Sequence, residues 1–314
     1  MQIFLVDAFT SEPFKGNPAA VLLANEQACT NDAFCQKVAA EMKLSETAFP
    51  YPKNGDFGTA SIFSLRWFTP TVEVPICGHG TLATAHVLFN KIGNPNDVIQ
   101  FDTLCGPLIC TRGENRSVKM DFPQYEVNSL DLGAWKGEMN KGLFKKFEGD
   151  MPDYNIAKLV EVVTCGRSVA AVAYAHKEKT PIVVLDPMTE EEFTALKPSI
   201  DQLLKVYPVD DRDLGIVLTM KAGDGEYDFM SRYFAPWGGV NEDPVGGAAH
   251  CGSGPFWGKL LGKAELNAKH CYAGRGGELK LELHNDAGRI TLIGKAATVL
   301  SGKMSDDVAA ASQL

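Results

Sequence analysis

The sequence of 314 residues predicts an α/β (α+β) fold made of two similar, pseudo-symmetric domains. Three observations carry that expectation. First, one stretch occurs twice. Arg66-Trp67-Phe68-Thr69-Pro70 answers to Arg232-Tyr233-Phe234-Ala235-Pro236. Glu73-Val74-Pro75-Ile76-Cys77-Gly78 answers to Glu242-Asp243-Pro244-Val245-Gly246-Gly247, with the Glu-x-Pro-x-x-Gly spacing kept. Second, the order of strand-like and helix-like runs agrees around both copies, down to Gly106-Pro107-Leu108 and Gly277-Glu278-Leu279. Third, the chain is long enough for each half to bury its own core. A repeat of this length means two domains rather than a solenoid, whose units run to roughly 20–50 residues.

Taken in order, residues 3–9 read as a strand. Ser11 to Pro18 is a loop rich in Gly, Pro and Asn, and Ala19 to Leu23 is a buried second strand in a near-hairpin with the first. Asn31 or Asp32 caps a helix running to about Leu44, with Phe34, Val38, Ala39 and Met42 at helical spacing. Ser45 to Pro50 is extended, Ser61 to Thr69 is a strand, and the apolar run Leu82 to Phe89 suits a buried helix. Residues 98–102, 107–111 and 118–122 are three further short strands. The polar, Gly-containing region from Gln124 to about Asn155 reads as a linker. In the second half, 168–174, 181–185, 216–220, 228–234, 278–283 and 289–293 are strand-like, Glu190 to Leu204 is expected to be one helix, and the tail from Ser305 to fray. The expected boundaries are 1–125 and 126–295, with 296–314 a C-terminal segment returning to the first domain.

Composition narrows the function classes. Apolar residues make up 45% and charged residues 22%, near soluble globular averages. A net charge of −9 without any basic run argues against nucleic acid as a partner. The N-terminus has no basic leader and meets Asp7 early, and no stretch approaches the roughly 20 apolar residues that span a membrane. A cytoplasmic protein with no membrane partner is expected. The eight cysteines form no C-x-x-C pair, so free thiols are expected and a zinc ribbon is not. Neither Gly252-Ser253-Gly254 with Gly258 nor Gly262-Lys263 has the spacing and context of a nucleotide loop, and no His-Glu-x-x-His helix suggests metal catalysis.

The candidate site starts at Cys77-Gly78-His79-Gly80-Thr81. Bare backbone amides at the start of a helix favour an anion, because they lack internal partners and the helix dipole adds to them. A cysteine and a histidine beside them can move protons. If the duplicated domains close about a pseudo-twofold axis, the helix start after Cys77 faces the one after Gly246. Two opposed amide clusters suit a small carboxylate-bearing molecule that gains negative charge as a proton leaves carbon.

Four separated motifs resemble one family: DAFT…PFKGNPAAVLL, LSETAF, FTPTVEVPICGHGTLATAHVL and EDPVGGAAHCGSGPFWG. Together they are similar to the phenazine-biosynthesis PhzF-like family of the diaminopimelate epimerase superfamily. The resemblance runs from about Asp7 to the strands near 290. It implies two domains, each a curled, mainly antiparallel sheet around a central helix, in a homodimer. It also implies a cofactor-independent isomerase that moves a proton on a small carboxylate substrate held in the cleft. By position in LSETAF, Glu46 is the general acid/base, accompanied by His79 and Asp243 as catalytic residues. Asn17, Cys77, Gly78, Gly80, Gly246, Gly247 and Ala248 are the substrate-binding positions, and no metal is implied. Burial against Ala48 and Phe49 is expected to raise the Glu46 pKa toward working pH, as suits a proton shuttle. Two departures bear on activity. Ala248 stands where isomerases of the family carry a hydroxyl, which leaves a catalytically silent ligand- or protein-binding member as an alternative. The position mirroring Cys77 falls at Val245 or Gly246, so a racemase using Cys77 would need another thiol, such as Cys251.

Overall fold

The computed structural model describes residues 1–130, 143–149, 155–208 and 214–311. The chain divides into two units, residues 1–122 with 291–314 and residues 123–290.

The first unit opens with β1 (Gln2–Ala8), β2 (Asn17–Leu23), α1 (Glu26–Cys29), α2 (Asp32–Met42) and β3 (Glu46–Pro52). It continues through β4 (Ile62–Phe68), β5 (Glu73–Val74), α3 (Gly78–His86), β6 (Val98–Thr103), β7 (Gly106–Arg112) and β8 (Val118–Pro123). β1 is flanked by β2 and, from the far end of the chain, by β18 (Ala296–Lys303), both antiparallel. From β2 the sheet continues parallel to β3, antiparallel to β4, parallel to β6, then antiparallel to β7 and β8. Helix α3 is buried along its whole length and packs on β1, β2, β3 and β18. Its other side is not solvent, which is why its sequence is apolar or small all round. The sheet's other face carries α1 and α2, whose Phe34, Cys35, Val38 and Ala39 pack with Leu22, Phe49 and Phe68.

The second unit comprises β9 (Val127–Ser129), α4 (Ile156–Val163), β10 (Val169–Ala175), β11 (Thr180–Leu185), α5 (Glu190–Ala195), α6 (Ile200–Val206) and β12 (Ile216–Lys221). After these come β13 (Phe229–Ala235), β14 (Val240–Asp243), α7 (His250–Leu261), β15 (Glu265–His270), β16 (Gly277–His284) and the start of β17 (Arg289–Gly294). The pairing repeats that of the first unit. β9 is antiparallel to β10, β10 to β11, β11 parallel to β12, β12 antiparallel to β13, β13 parallel to β15, and β15 antiparallel to β16. Each unit is therefore a mainly antiparallel sheet with one helix buried against it, as the fold class predicts.

Side chains repeat as well as strands. Arg66 on β4 grips Glu73 on β5 with Nε and Nη2, both at 2.7 Å, and its Nη1 donates to the carbonyl of Cys29 at the end of α1. Arg232 on β13 grips Glu242 on β14 with Nε at 2.6 Å and Nη2 at 3.0 Å, and its Nη1 donates to the carbonyls of Phe193 and Leu196 at the end of α5. Each guanidinium also lies over the ring two residues on, Phe68 at 5.0 Å and Phe234 at 5.1 Å. A bidentate fork needs arginine rather than lysine, and the carbonyls it reaches lie at helix C-termini, where intrahelical donors run out. The shared Arg…Glu-x-Pro-x-x-Gly signature is thus the sequence trace of a clamp that ties the central hairpin to the helix layer.

Several sequence expectations change. Glu190 to Leu204 is two helices, because the residue before Pro198 is driven out of the helical region and Leu196 leaves it with ψ 136°. Residues 127–129, expected as linker, form β9 on β10; parts of that expected linker, 131–142 and 150–154, lie outside the described residues. Within the C-terminal tail, expected to fray, Asp306–Ala311 form helix α8, and residues 312–314 lie outside the described residues. Strands β15 and β18 were not anticipated. After His86 the chain continues as a π-helix, Val87–Ile92, and ends at Gly93 with φ 77°; α7 ends at Gly262 with φ 65°. Both glycines adopt the left-handed cap that costs other residues energy. The glycines that mimic a nucleotide loop serve packing: a Cβ at Gly254 would sit 2.9 Å from Ile290 Cδ1, and one at Gly258 would sit 2.8 Å from the Lys263 carbonyl oxygen. No helix among the described residues is long and apolar enough to cross a membrane.

Candidate active site

The ionisable groups of the first unit converge where three elements begin. Asn17 opens β2, Glu46 opens β3, and α3 starts at Gly78 with Cys77 as its N-cap. The parallel register of β2 and β3, with Ala19 opposite Glu46, brings Asn17 and Ser45 to the same end of the sheet. The Cys77 sulfur accepts from the Gly80 amide at 3.2 Å, doing for this helix what a Ser or Asp usually does. Gly80 has to be glycine, since a Cβ there would lie 2.7 Å from Trp67 Cδ1 and 3.0 Å from the Cys77 sulfur. Under ordinary helix geometry the first-turn amides of Gly78 and His79 have no intrahelical acceptor.

His79 is the hub. Its Nε2 lies 2.9 Å from Glu46 Oε2 and 3.1 Å from Ser45 Oγ, and its Nδ1 lies 3.0 Å from Asn17 Nδ2 and 3.6 Å from Cys77 Sγ. Ser45 Oγ in turn donates to Asn17 Oδ1 at 3.1 Å. Because Ser45 Oγ donates to Asn17 and to the Pro18 carbonyl, it accepts the Nε2 proton, and the Glu46 carboxylate lies beside that proton as a charge partner. Burial opposes charge on this imidazole, but the Glu46 carboxylate 2.9 Å away outweighs it and holds His79 well above the ordinary histidine range. Burial dominates at Cys77 and raises its pKa, so at neutral pH it is a thiol and the Glu46 carboxylate is the anion that His79 meets.

Exposure separates the roles. The His79 side chain is 4% exposed and the Glu46 side chain 13%, so the carboxylate is the more open partner. Oε2 has no hydrogen-bond partner among the described residues beyond its contact with His79. One expectation needs correction. Side chains alternate along a strand, so Phe49 lies on the face opposite Glu46, packed with α1 and α2, and does not wall the carboxylate. What confines Glu46 is His79. Glu46, Cys77 and His79 present donor atoms within 4.8 Å of one another, a spacing a metal ion could bridge. The short Glu46–His79 contact and the Cys77 cap account for all three without one.

In the second unit, Asp243 ends β14, Pro244 follows, Val245 and Gly246 are buried, and Gly247 to Ala249 form the turn into α7. Ala248 occupies the position equivalent to His79, and Gly246 the one equivalent to Cys77. At both turns the residue four positions on binds that carbonyl: Thr81 Oγ1 donates to Cys77 O at 2.5 Å, and His250 Nδ1 lies 2.7 Å from Gly246 O. Cys251 is buried within α7, so it offers no accessible second thiol. All eight cysteines are free, with Cys105 and Cys165 exposed and the other six buried. Sequence reading picked out Glu46, His79, Cys77 and Asn17, which meet. It missed Ser45, although the residue stands within LSETAF and a hydroxyl beside an acid at a strand start was the available signal.

Comparison with known proteins follows the same outline. The model of the family described as phenazine biosynthesis-like protein matches residues 6–302. A human phenazine biosynthesis-like domain-containing protein is 39% identical, over 97% of this chain and 99% of its own. A protein of Halalkalibacterium halodurans named as an uncharacterised isomerase is 38% identical, over 96% of this chain and 97% of its own. The crystal structure of an Enterococcus faecalis protein of the PhzF phenazine biosynthesis family superposes with a TM-score of 0.75 at 31% identity, covering 97% of this chain and 98% of that one.

Proposed function

The chain belongs to the phenazine biosynthesis-like family, and from that premise we propose that it is an isomerase in which Glu46 moves a proton on a small carboxylate-bearing substrate. The observation that carries this reading is the partly open Glu46 carboxylate, oriented at 2.9 Å by a buried His79. In the proposed step Glu46 takes a proton from a carbon whose electron pair can delocalise toward the substrate carboxylate. The resulting charge rests on the amides that open α3, and Glu46–H returns the proton to a different carbon. His79 holds the carboxylate in line at 2.9 Å. Asp243 and the Gly246–Gly247 backbone are proposed as further substrate contacts, on the strength of the motif match alone. Cys77 is proposed as a cap and packing residue, since burial works against its thiolate.

The test is deuterium incorporation from solvent into a panel of amino acids and cyclic dienoic acids. Glu46→Gln keeps the size and shape of the side chain and is expected to slow incorporation by about 10²–10⁴-fold, the range of general acid–base catalysis, with circular dichroism unchanged. Incorporation that persists unchanged in the folded variant removes Glu46 from the mechanism. The missing hydroxyl at Ala248 supports a second reading, a family member that binds without turnover. Tight binding of a panel compound with no isotope incorporation would establish it.

A further inference from the structure

A second polar cluster lies in the core of the other unit. Ser231 on β13, His250 at the start of α7 and His270 at the end of β15 are all buried, with no measurable exposure. They form one chain of contacts. His250 Nδ1 lies 2.7 Å from the Gly246 carbonyl oxygen and its Nε2 lies 3.1 Å from Ser231 Oγ. Ser231 Oγ lies 3.1 Å from His270 Nδ1, and His270 Nε2 lies 3.1 Å from the Asp243 carbonyl oxygen. The chain thus begins and ends on the two carbonyls that bracket Asp243, Pro244, Val245 and Gly246.

Counting protons fixes its chemistry. A carbonyl only accepts, so His250 carries its proton on Nδ1 and His270 on Nε2. Burial pushes His250 down to about 4 and His270 well below the ordinary range, so both imidazoles are neutral at pH 7. Two bare nitrogens then face one hydroxyl that has a single proton to give. Ser231 can satisfy one histidine at a time, and both tautomers are dictated by the turn.

The other unit shows that the fold does not require this chain. By the repeat, Leu65, Thr81 and Thr103 stand where Ser231, His250 and His270 stand. Thr81 still holds its carbonyl, but Leu65 has no polar atom, and Thr103 Oγ1 donates instead to Gly106 O of its own hairpin. A hydrophobic residue serves at the centre of one unit. At the centre of the other, three polar side chains accept the cost of burial and of one imidazole nitrogen left without a donor.

We propose that Ser231, His250 and His270 are positioning residues that clamp the Asp243–Gly246 turn by its carbonyls. Through that turn they set the direction of the Asp243 carboxylate and of the Gly246–Gly247 backbone. The importance of that turn for substrate rests on the reading above; the clamp itself does not.

The test uses the full chain and needs no turnover. With ¹⁵N-labelled histidine at neutral pH, His250 is expected as the neutral Nδ1–H tautomer and His270 as the neutral Nε2–H tautomer. Finding either in the opposite tautomer, or as imidazolium, overturns the clamp. In Ser231→Ala, amide hydrogen exchange across residues 243–247 is expected to quicken by about five- to tenfold, the equivalent of one net hydrogen bond, while β12 and the body of α7 keep their protection. Ser231→Cys, which keeps the size and a weak donor, should fall between. Unchanged exchange at the turn, or an equal rise throughout the unit, overturns the proposal. If Ser231→Ala does not fold, the tautomers in the unaltered protein decide alone. A protein that binds but never isomerises would refute the proposed reaction and leave these readouts as expected.

Discussion

The histidines at the two repeated turns carry opposite charge logic. His79 sits against a carboxylate and is held above the ordinary histidine range, whereas His250 and His270 bond to carbonyls and a hydroxyl, with no carboxylate among those partners, and are held below it. The backbone frame is shared, with the same strand order, the same arginine clamp and the same hydrogen bond from the fourth residue to the carbonyl at the turn. What differs is whether the polar atoms beside the helix start are an ion pair with an open end or a closed neutral chain. A duplicated scaffold can therefore place a charged cluster in one copy and a neutral one in the other without changing its topology.

The largest test of that contrast outside the catalytic variants concerns the clamps. The Arg232 side chain is 4% exposed, and Arg66 is 18% exposed with one partner, Asp32, 80% exposed. Arg232→Ala strands a largely buried Glu242 and is expected to cost about 3–5 kcal/mol in urea unfolding. Arg66→Ala should cost less, because the Arg66 guanidinium is itself more open and Asp32 is solvated, while Glu73 and Glu242 are about equally buried. Equal losses would mean that burial does not set the strength of this shared device.

Acid should separate the units next. His250 has a folded pKa of about 4, below its unfolded value, so its contribution is complete above pH 6.5 and is lost as pH falls toward 4. That loss amounts to about 3 kcal/mol for this group, and His270 moves in the same direction. His79 runs the other way: its folded pKa is raised, so its contribution is present below pH 6.5 and fades as pH rises through the folded value. His86, at about 4 and bonded to Thr298 and Asn90, partly offsets that in its own unit. Hydrogen exchange followed from pH 7 to 4 should therefore show residues 214–290 losing protection before residues 1–122. The reverse order would refute the neutral assignment of His250 and His270. The smallest expected effect is at Asp32, where Asn substitution breaks an exposed contact with Arg66 and should change stability by less than about 1 kcal/mol.

The frame was legible from sequence because its determinants are local. Arg66 and Glu73 are seven residues apart and Arg232 and Glu242 ten, short enough for the doubled signature to stand out by eye. Glu46, His79, Cys77 and Asn17 were legible through their motifs, and their convergence follows from strand starts that the parallel β2–β3 register aligns. The Ser231–His250–His270 chain was not legible. Its members come from three elements, and nothing in their spacing distinguishes His250 from an ordinary core histidine. β15 was missed for a similar reason: its buried positions are Leu266, Ala268 and His270, an alternation that contains only one large aliphatic residue. The break at Pro198 was written in the sequence and was overridden by the helical spacing around it.

The distribution of thiols has a practical consequence. Six of eight cysteines are buried, and the two exposed ones, Cys105 and Cys165, fall one in each unit. The unaltered protein thus offers two addressable handles for a fluorescent donor and acceptor, with no engineering of the chain. A single-molecule distance trace between them, recorded as candidate ligands are added, would turn the search for a substrate into an optical screen.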